Sequence, residues 1–321
     1  MSNPLPIKLS PAFKDYLWGG DKLKEQFNKK SDLNVVAESW ELSVHKSGQS
    51  IVASGEYEGK YLSEYLDIMG NGILGRRAER FDYFPLLIKF IDAKGALSVQ
   101  VHPSDEYALK VEGEYGKSEM WYILDCDEEA FLYYGFSRDI TKEEYSNAIK
   151  ENNLTSLLNA VPVKRGDVFY IPAGTVHAIG AGIVICEIQQ NSNTTYRVYD
   201  YNRRDKDGNT RPLHIDKALE VSNLKRSPEL LPISDKDDVM LSSCEYFEVR
   251  RLRTAEKSEI FVDNESFLSL IVTDGEGELS FDGGEIEFIK GDSIFIPANT
   301  GKLTVIGKCE LILSRIGEKT E

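Results

Sequence analysis

KRGDVFYIPAGTVHAIG, residues 164–180, returns as IKGDSIFIPANTGKLTVIG at residues 289–307. In each copy an aspartate, Asp167 or Asp292, stands five residues before a proline, Pro172 or Pro297, with an apolar run between them. Upstream, the run ending at Asp125 matches one ending at Asp274 at a wider spacing, and the excess is close to the length of residues 137–163. A repeat of this size with one interrupted copy predicts two related units, the first carrying a helical insert at about 137–163. On this alignment His177 falls on Lys302 and Glu119 on Leu268, so the second unit keeps the scaffold and lacks the polar groups. Chemistry is expected in the first.

Around the repeat the chain reads as short strands. FPLLIKFIDA (84–93), LSVQVH (97–102), EMWYILD (119–125), AFLYYGF (130–136), DVFYIPA (167–173) and IVICEIQ (183–189) are rich in β-branched and aromatic residues and are bounded by Gly, Pro or Asp. Helical periodicity is confined to 141–159, where Thr141 and Glu144 form a capping box, and to weaker stretches at 61–69 and 216–221. The fold expected is mainly β, a sandwich or barrel of jelly-roll type. The segment KRSPELLPISDKDD (225–238) combines prolines with dense charge, which divides the chain into 1–228 and 229–321.

Composition narrows the function. The 321 residues, 41% of them hydrophobic, suffice for a large core; Lys and Arg number 38 against 53 Asp and Glu, a formal charge of −15. That balance argues against nucleic acid and anionic membranes, both of which select basic faces, but a small anion needs only a local cluster of cations. The N-terminus shows no signal-peptide pattern, and no run reaches the roughly 18 apolar residues of a membrane helix. Cys126, Cys186, Cys244 and Cys309 are scattered, as expected of reduced thiols in a cytoplasmic protein.

The strand AlaLeuSerValGlnValHis (96–102) places Ser98, Gln100 and His102 on one face. Lys117, Glu119 and Trp121 share a face at the start of the next strand, and His177 follows the turn after Pro172. Two imidazoles, a carboxylate and an amide oxygen form a donor set suited to zinc, with Fe(II), Mn or Co as alternatives. The alternative reading is two ordinary hydrogen-bonded histidines. His45 and His214 have no ligand-type neighbours at such spacing. Glu187, ten residues beyond His177, is expected to look into the same cavity, with Arg197 and Arg203 supplying positive charge.

These motifs resemble type I phosphomannose isomerases of the short bacterial form. YLWGG (16–20), AESWELSVH (37–45), PLLIKFIDAKGALSVQVHPSDEYA (85–108), KSEMWYIL (117–124), PAGTVHAIGAG (172–182), EIQQNSNTTYRVYDYNR (187–203) and RPLHIDKAL (211–219) carry the resemblance in order. It implies a cupin fold with a second, degenerate cupin domain, and one zinc ion per chain held by Gln100, His102, Glu119 and His177. It further implies that Trp18, Ser98, Lys117, Glu187 and Arg197 line the substrate cavity, with Arg197 in the position usually given to catalysis. Asn193 and Arg203 are further substrate-binding candidates, at positions where the long forms carry an acidic residue and a lysine; those forms also have an extra helical domain that this chain is too short to contain.

The implied reaction interconverts mannose 6-phosphate and fructose 6-phosphate through a cis-enediol. A base must move a proton between C2 and C1 while a cation stabilises charge on oxygen. Glu187, Lys117 and a metal-bound water compete as the base; apolar neighbours would raise the Glu187 pKa. Lys117, Arg197 and Arg203, with Ser98, are the candidates for the phosphate, which carries about −1.5 to −2 charges. An Fe(II) oxygenase and a non-catalytic sugar-phosphate sensor are the competing readings. A monomer or weak homodimer is expected.

Overall fold

The run IVICEIQQ forms the strand Ile183–Gln190, buried along its whole length, at the centre of a six-stranded sheet. Its residues alternate between two cores. Ile183 and Ile185 face one apolar cluster, while Val184, Cys186 and Ile188 face another. A strand covered on both faces needs apolar residues at nearly every position, which is why the run shows no simple apolar–polar period. Polar residues that interrupt the inner face, such as Glu187, therefore need specific partners.

The computed structural model describes residues 4–204, 207–230 and 233–319; residues 231 and 232, within the expected boundary segment, lie outside the described residues. The six-stranded sheet orders its strands as Val168–Ile171, Glu119–Cys126, Ile183–Gln190, Leu86–Ala93, Glu38–Leu42 and Ala12–Lys14. A five-stranded sheet runs Tyr196–Tyr199, Val99–Val101, His177–Ala178, Phe131–Phe136 and Leu158–Pro162. Trp121, Ile123, Leu132, Tyr134, Phe169 and Ile185 from the two sheets pack against each other, making the jelly-roll sandwich. The mainly β expectation holds, and the six strand runs singled out in the sequence are all strands.

Helix Lys142–Lys150 is closed by the expected capping box: Thr141 Oγ1 accepts from the Glu144 N–H at 3.1 Å, and Glu144 Oε2 accepts from the Thr141 N–H at 2.7 Å. Its Tyr145 and Ile149, with Ala218 of helix Ile215–Val221, cover the outer face of the five-stranded sheet. Burying each such large side chain contributes about 1.5–3 kcal/mol. The helix is shorter than its periodicity implied. Asn152 takes a left-handed conformation (φ 59°) after Glu151, and the chain goes on to the Leu158–Pro162 strand, which pairs with Phe131–Phe136. The 61–69 periodicity matches the helix Leu62–Met69.

The remaining residues build a nine-stranded sheet around a core of its own, including Leu270, Val272, Ile294, Leu303 and Leu311. Here Leu268 is buried, and Lys302 lies exposed in an ion pair with Glu259. The N-terminal strand Ile7–Ser10 belongs to this sheet, pairing with Ser293–Ile296 on one side and Ile51–Val52 on the other. The outer face of the six-stranded sheet packs on Phe247, Ile271, Phe295 and Ile312 of the nine-stranded one.

Candidate active site and metal centre

Sheet register brings the metal-type donors together. His177 is paired with Gln100, and Gln100 in turn with Arg197, across the five-stranded sheet. Glu119 opens the facing strand, paired with Gln189. The ligand-type atoms of His102, Glu119 and His177 all lie within 4.8 Å of one another, and all three residues are buried. His177 Nε2 is 3.2 Å from Glu119 Oε1, and His102 Nε2 is 3.5 Å from Oε2. Gln100 Nε2 lies 3.4 Å from His177 Nε2, so half a turn of the amide presents an oxygen to the same point.

The surroundings prepare these groups for a cation. His102 Nδ1 donates to the Thr194 carbonyl and His177 Nδ1 to the Thr175 carbonyl, each at 2.9 Å. A carbonyl can only accept, so the ring proton stays on Nδ1 and the Nε2 lone pair turns inward. Burial drives both imidazoles toward the neutral form, His177 to about 4 and His102 well below its usual value. Burial pushes Glu119 up to about 8 against the attraction of Lys117. His102 Nε2 and Glu119 Oε1 have no hydrogen-bond partner among the described residues. Buried polar atoms left unpaired are costly, and a bound cation would satisfy both.

This cluster borders a cavity of about 300 Å³. Trp18, Ser98, Gln100, Lys117, Glu187, Asn193 and Arg197, all anticipated in the sequence, line it. Lys117 Nζ is 3.1 Å from Glu119 Oε2, and Arg197 Nε donates to Ser98 Oγ at 3.2 Å. Arg203 is not among the lining residues. Its guanidinium is held by Asp200 and by the Ala96 carbonyl.

The chain is 39% identical to mannose-6-phosphate isomerase ManA of Bacillus subtilis over 317 residues, 97% of this chain and 99% of that protein. The chain belongs to the type I phosphomannose isomerases. It is therefore an isomerase, and the family models agree: the phosphomannose isomerase type I catalytic domain matches residues 7–154, and the mannose-6-phosphate isomerase cupin domain matches residues 237–316. The crystal structure of the Bacillus subtilis mannose 6-phosphate isomerase superposes with a TM-score of 0.89 at 37% identity, covering 97% of this chain and 99% of that one. A mannose 6-phosphate isomerase solved with zinc and yttrium shares the fold, at 18% identity and a TM-score of 0.80, over 98% of this chain and 100% of that one. The oxygenase reading falls away with this family assignment.

Several cavity residues of this isomerase escaped the sequence reading. Lys89 sits 3.5 Å from both Glu38 Oε2 and Glu187 Oε2 and 4.8 Å from the Trp40 ring centroid. Trp121 Nε1 donates to Glu187 Oε1 at 3.0 Å, and Trp40 Nε1 to Glu38 Oε2 at 2.6 Å. The sequence signal was a lysine in the middle of LLIKFIDA, since a cation inside a fully buried strand requires acidic partners. This network also corrects the expected Glu187 pKa. Burial works to raise it, but the Lys117 and Lys89 ammonium groups outweigh burial and hold the carboxyl below its ordinary value. Arg211 and Tyr16 complete the missed lining residues used below.

Proposed function

We propose that this isomerase interconverts mannose 6-phosphate and fructose 6-phosphate through a cis-enediol, with one zinc ion per chain held by Gln100, His102, Glu119 and His177. The observation that carries the metal reading is the buried convergence of His102 Nε2 and Glu119 Oε1, which have no hydrogen-bond partner among the described residues, with Glu119 Oε2, which meets the Lys117 ammonium, beside neutral imidazoles. Nitrogen and oxygen donors of this kind suit zinc. When bound, zinc supplies a Lewis acid that polarises the substrate's carbonyl oxygen without redox change.

The chain's own residues supply the rest. Glu187 is kept ionised by two lysines and its Oε2 has no hydrogen-bond partner, so it can accept the proton that leaves carbon. Lys117, next to Glu119, places a cation beside the oxygens on which charge develops. Arg197, steadied by Ser98, adds a guanidinium on the opposite wall. Trp18, buried and packed against Tyr16 with ring centroids 5.5 Å apart, closes one side of the cavity against water. Asn193 offers hydrogen bonds to sugar hydroxyls. Four cysteines without disulfides fit a reducing compartment, the cytoplasm.

A coupled isomerase assay with metal analysis tests this reading. Turnover of mannose 6-phosphate is expected to vanish on chelation and return with zinc, at one zinc per chain. Full activity in metal-free protein would refute the metal role, and tight binding of fructose 6-phosphate without turnover would favour a sensor.

A further inference from the structure

The cavity has two chemically distinct ends. Contacts divide the lining into two groups: Lys117, beside Glu119, with Glu38, Lys89 and Glu187 in one, and Arg197, which donates to Ser98 and to the Pro212 carbonyl, with Arg211 in the other. Gln100 borders the donors, while Ser98, which accepts from Arg197, sits two residues back along the same backbone, about 7 Å away at strand rise. A hexose 6-phosphate whose C1–C2 end meets the donors therefore extends its phosphate toward the arginines. This placement rests on the sugar-phosphate reading above.

We propose that Arg211, held in a fork by Asp200, is the phosphate anchor of this isomerase, and that Arg203 is a structural tie. Arg211 Nε donates to Asp200 Oδ2 at 2.8 Å and Nη2 to Oδ1 at 2.6 Å, which fixes the guanidinium plane on the cavity wall, with Nη1 the edge proposed to meet the ligand. Arg203 spends its donors on the same carboxylate and on the Ala96 carbonyl, clamping the loop to the strand entry. The segment carrying Arg211 is stitched to the cavity wall. Pro212 O accepts from Arg197 Nη1 at 3.1 Å, the His214 N–H donates to Arg197 O at 2.8 Å, and His214 Nδ1 accepts the Arg197 N–H at 3.2 Å.

Charge supports the assignment. Arg203 and Arg211 share one buried carboxylate, Asp200, and Arg197 stands close enough to feel all three charges, so this end keeps excess positive charge inside a chain of net −15. Burial lowers the Arg197 pKa from its ordinary value, and to this is added the repulsion of Arg211. A phosphate dianion relieves it.

Calorimetry with inorganic phosphate on the zinc-loaded enzyme, alongside steady-state kinetics, tests the anchor. Arg211→Gln is expected to weaken phosphate binding about tenfold or more. It should raise KM for the hexose phosphate in proportion while kcat falls by less than about threefold. Arg211→Lys, which keeps the charge and loses the fork, should fall between wild type and R211Q. Unchanged phosphate affinity in R211Q overturns the proposal, as does a loss that appears in R203Q and not in R211Q, or an equal loss in R211K and R211Q tracking a lowered Tm. If the wild type binds phosphate through Arg211 but turns over no hexose phosphate, the isomerase substrate is wrong and the anchor stands.

Discussion

At the residue scale, the site depends on which charges the fold compensates and which it leaves open. Lys89 is surrounded by Glu38 and Glu187, and the carboxylates hold its pKa up against burial. Glu119, by contrast, sets two buried oxygens against a single close ammonium, Lys117, 3.1 Å from Oε2, and burial still pushes its pKa up. This asymmetry fits the proposed roles, Glu187 as proton acceptor and Glu119 as a cation ligand. Glu187→Gln removes the proton acceptor while preserving shape and the hydrogen bond from Trp121. It should lower kcat by about 10²–10⁴-fold with zinc content unchanged; a variant with wild-type kcat would pass the role of base to another group. Gln100 and His102 stood out in the sequence because strand alternation puts donors two residues apart on one face, Glu119 because it opens the next strand, and His177 because it follows the proline turn. Arg211 was not, since its position depends on the fold of a loop and on Asp200, and nothing in periodicity separates it from Arg203.

At the element scale, the two halves of the chain are tied together by exchanged edges. Strand Ile7–Ser10 lies between Ser293–Ile296 and Ile51–Val52, and Lys29 of the N-terminal half forms a buried ion pair with Glu41 while also donating to the Gly291 carbonyl. Ser293–Ile296 is buried at every position, so losing its partner strand would expose an apolar edge with unpaired backbone groups. A chain beginning at Pro11 is therefore expected to self-associate and to unfold at lower urea than the full chain. Monomeric behaviour and an unchanged urea midpoint, by size-exclusion and fluorescence, would contradict this. Strand and helix positions were legible from apolar runs and the Thr141–Glu144 cap. The end of the helix at Glu151 was not, because Leu154, Leu157 and Leu158 continue an apolar pattern that the chain uses for a 3-10 turn and an edge strand.

At the scale of the whole molecule, the candidate metal site joins strands that are far apart in sequence: His102 beside the Val99–Val101 strand, Glu119 on the facing sheet, and His177 beyond the proline turn. Filling it should stabilise the sandwich as a unit. At a thousandfold excess over Kd, a ligand bound only by the folded state contributes about 4 kcal/mol. Zinc-loaded protein should accordingly melt several degrees above chelated protein in a thermal scan, and coincident transitions would remove the metal from this site. The sequence by itself determined the strand-rich architecture, the internal repeat and the helix cap at Thr141, because each is written in local alternation, turn residues and short spacings. Tertiary structure alone decided that lysines hold the Glu187 pKa down, that the N-terminal strand completes the far sheet, and that Arg211 reaches the cavity while Arg203 does not. Those outcomes depend on which charges and edges meet across long sequence separations, and no local pattern encodes that.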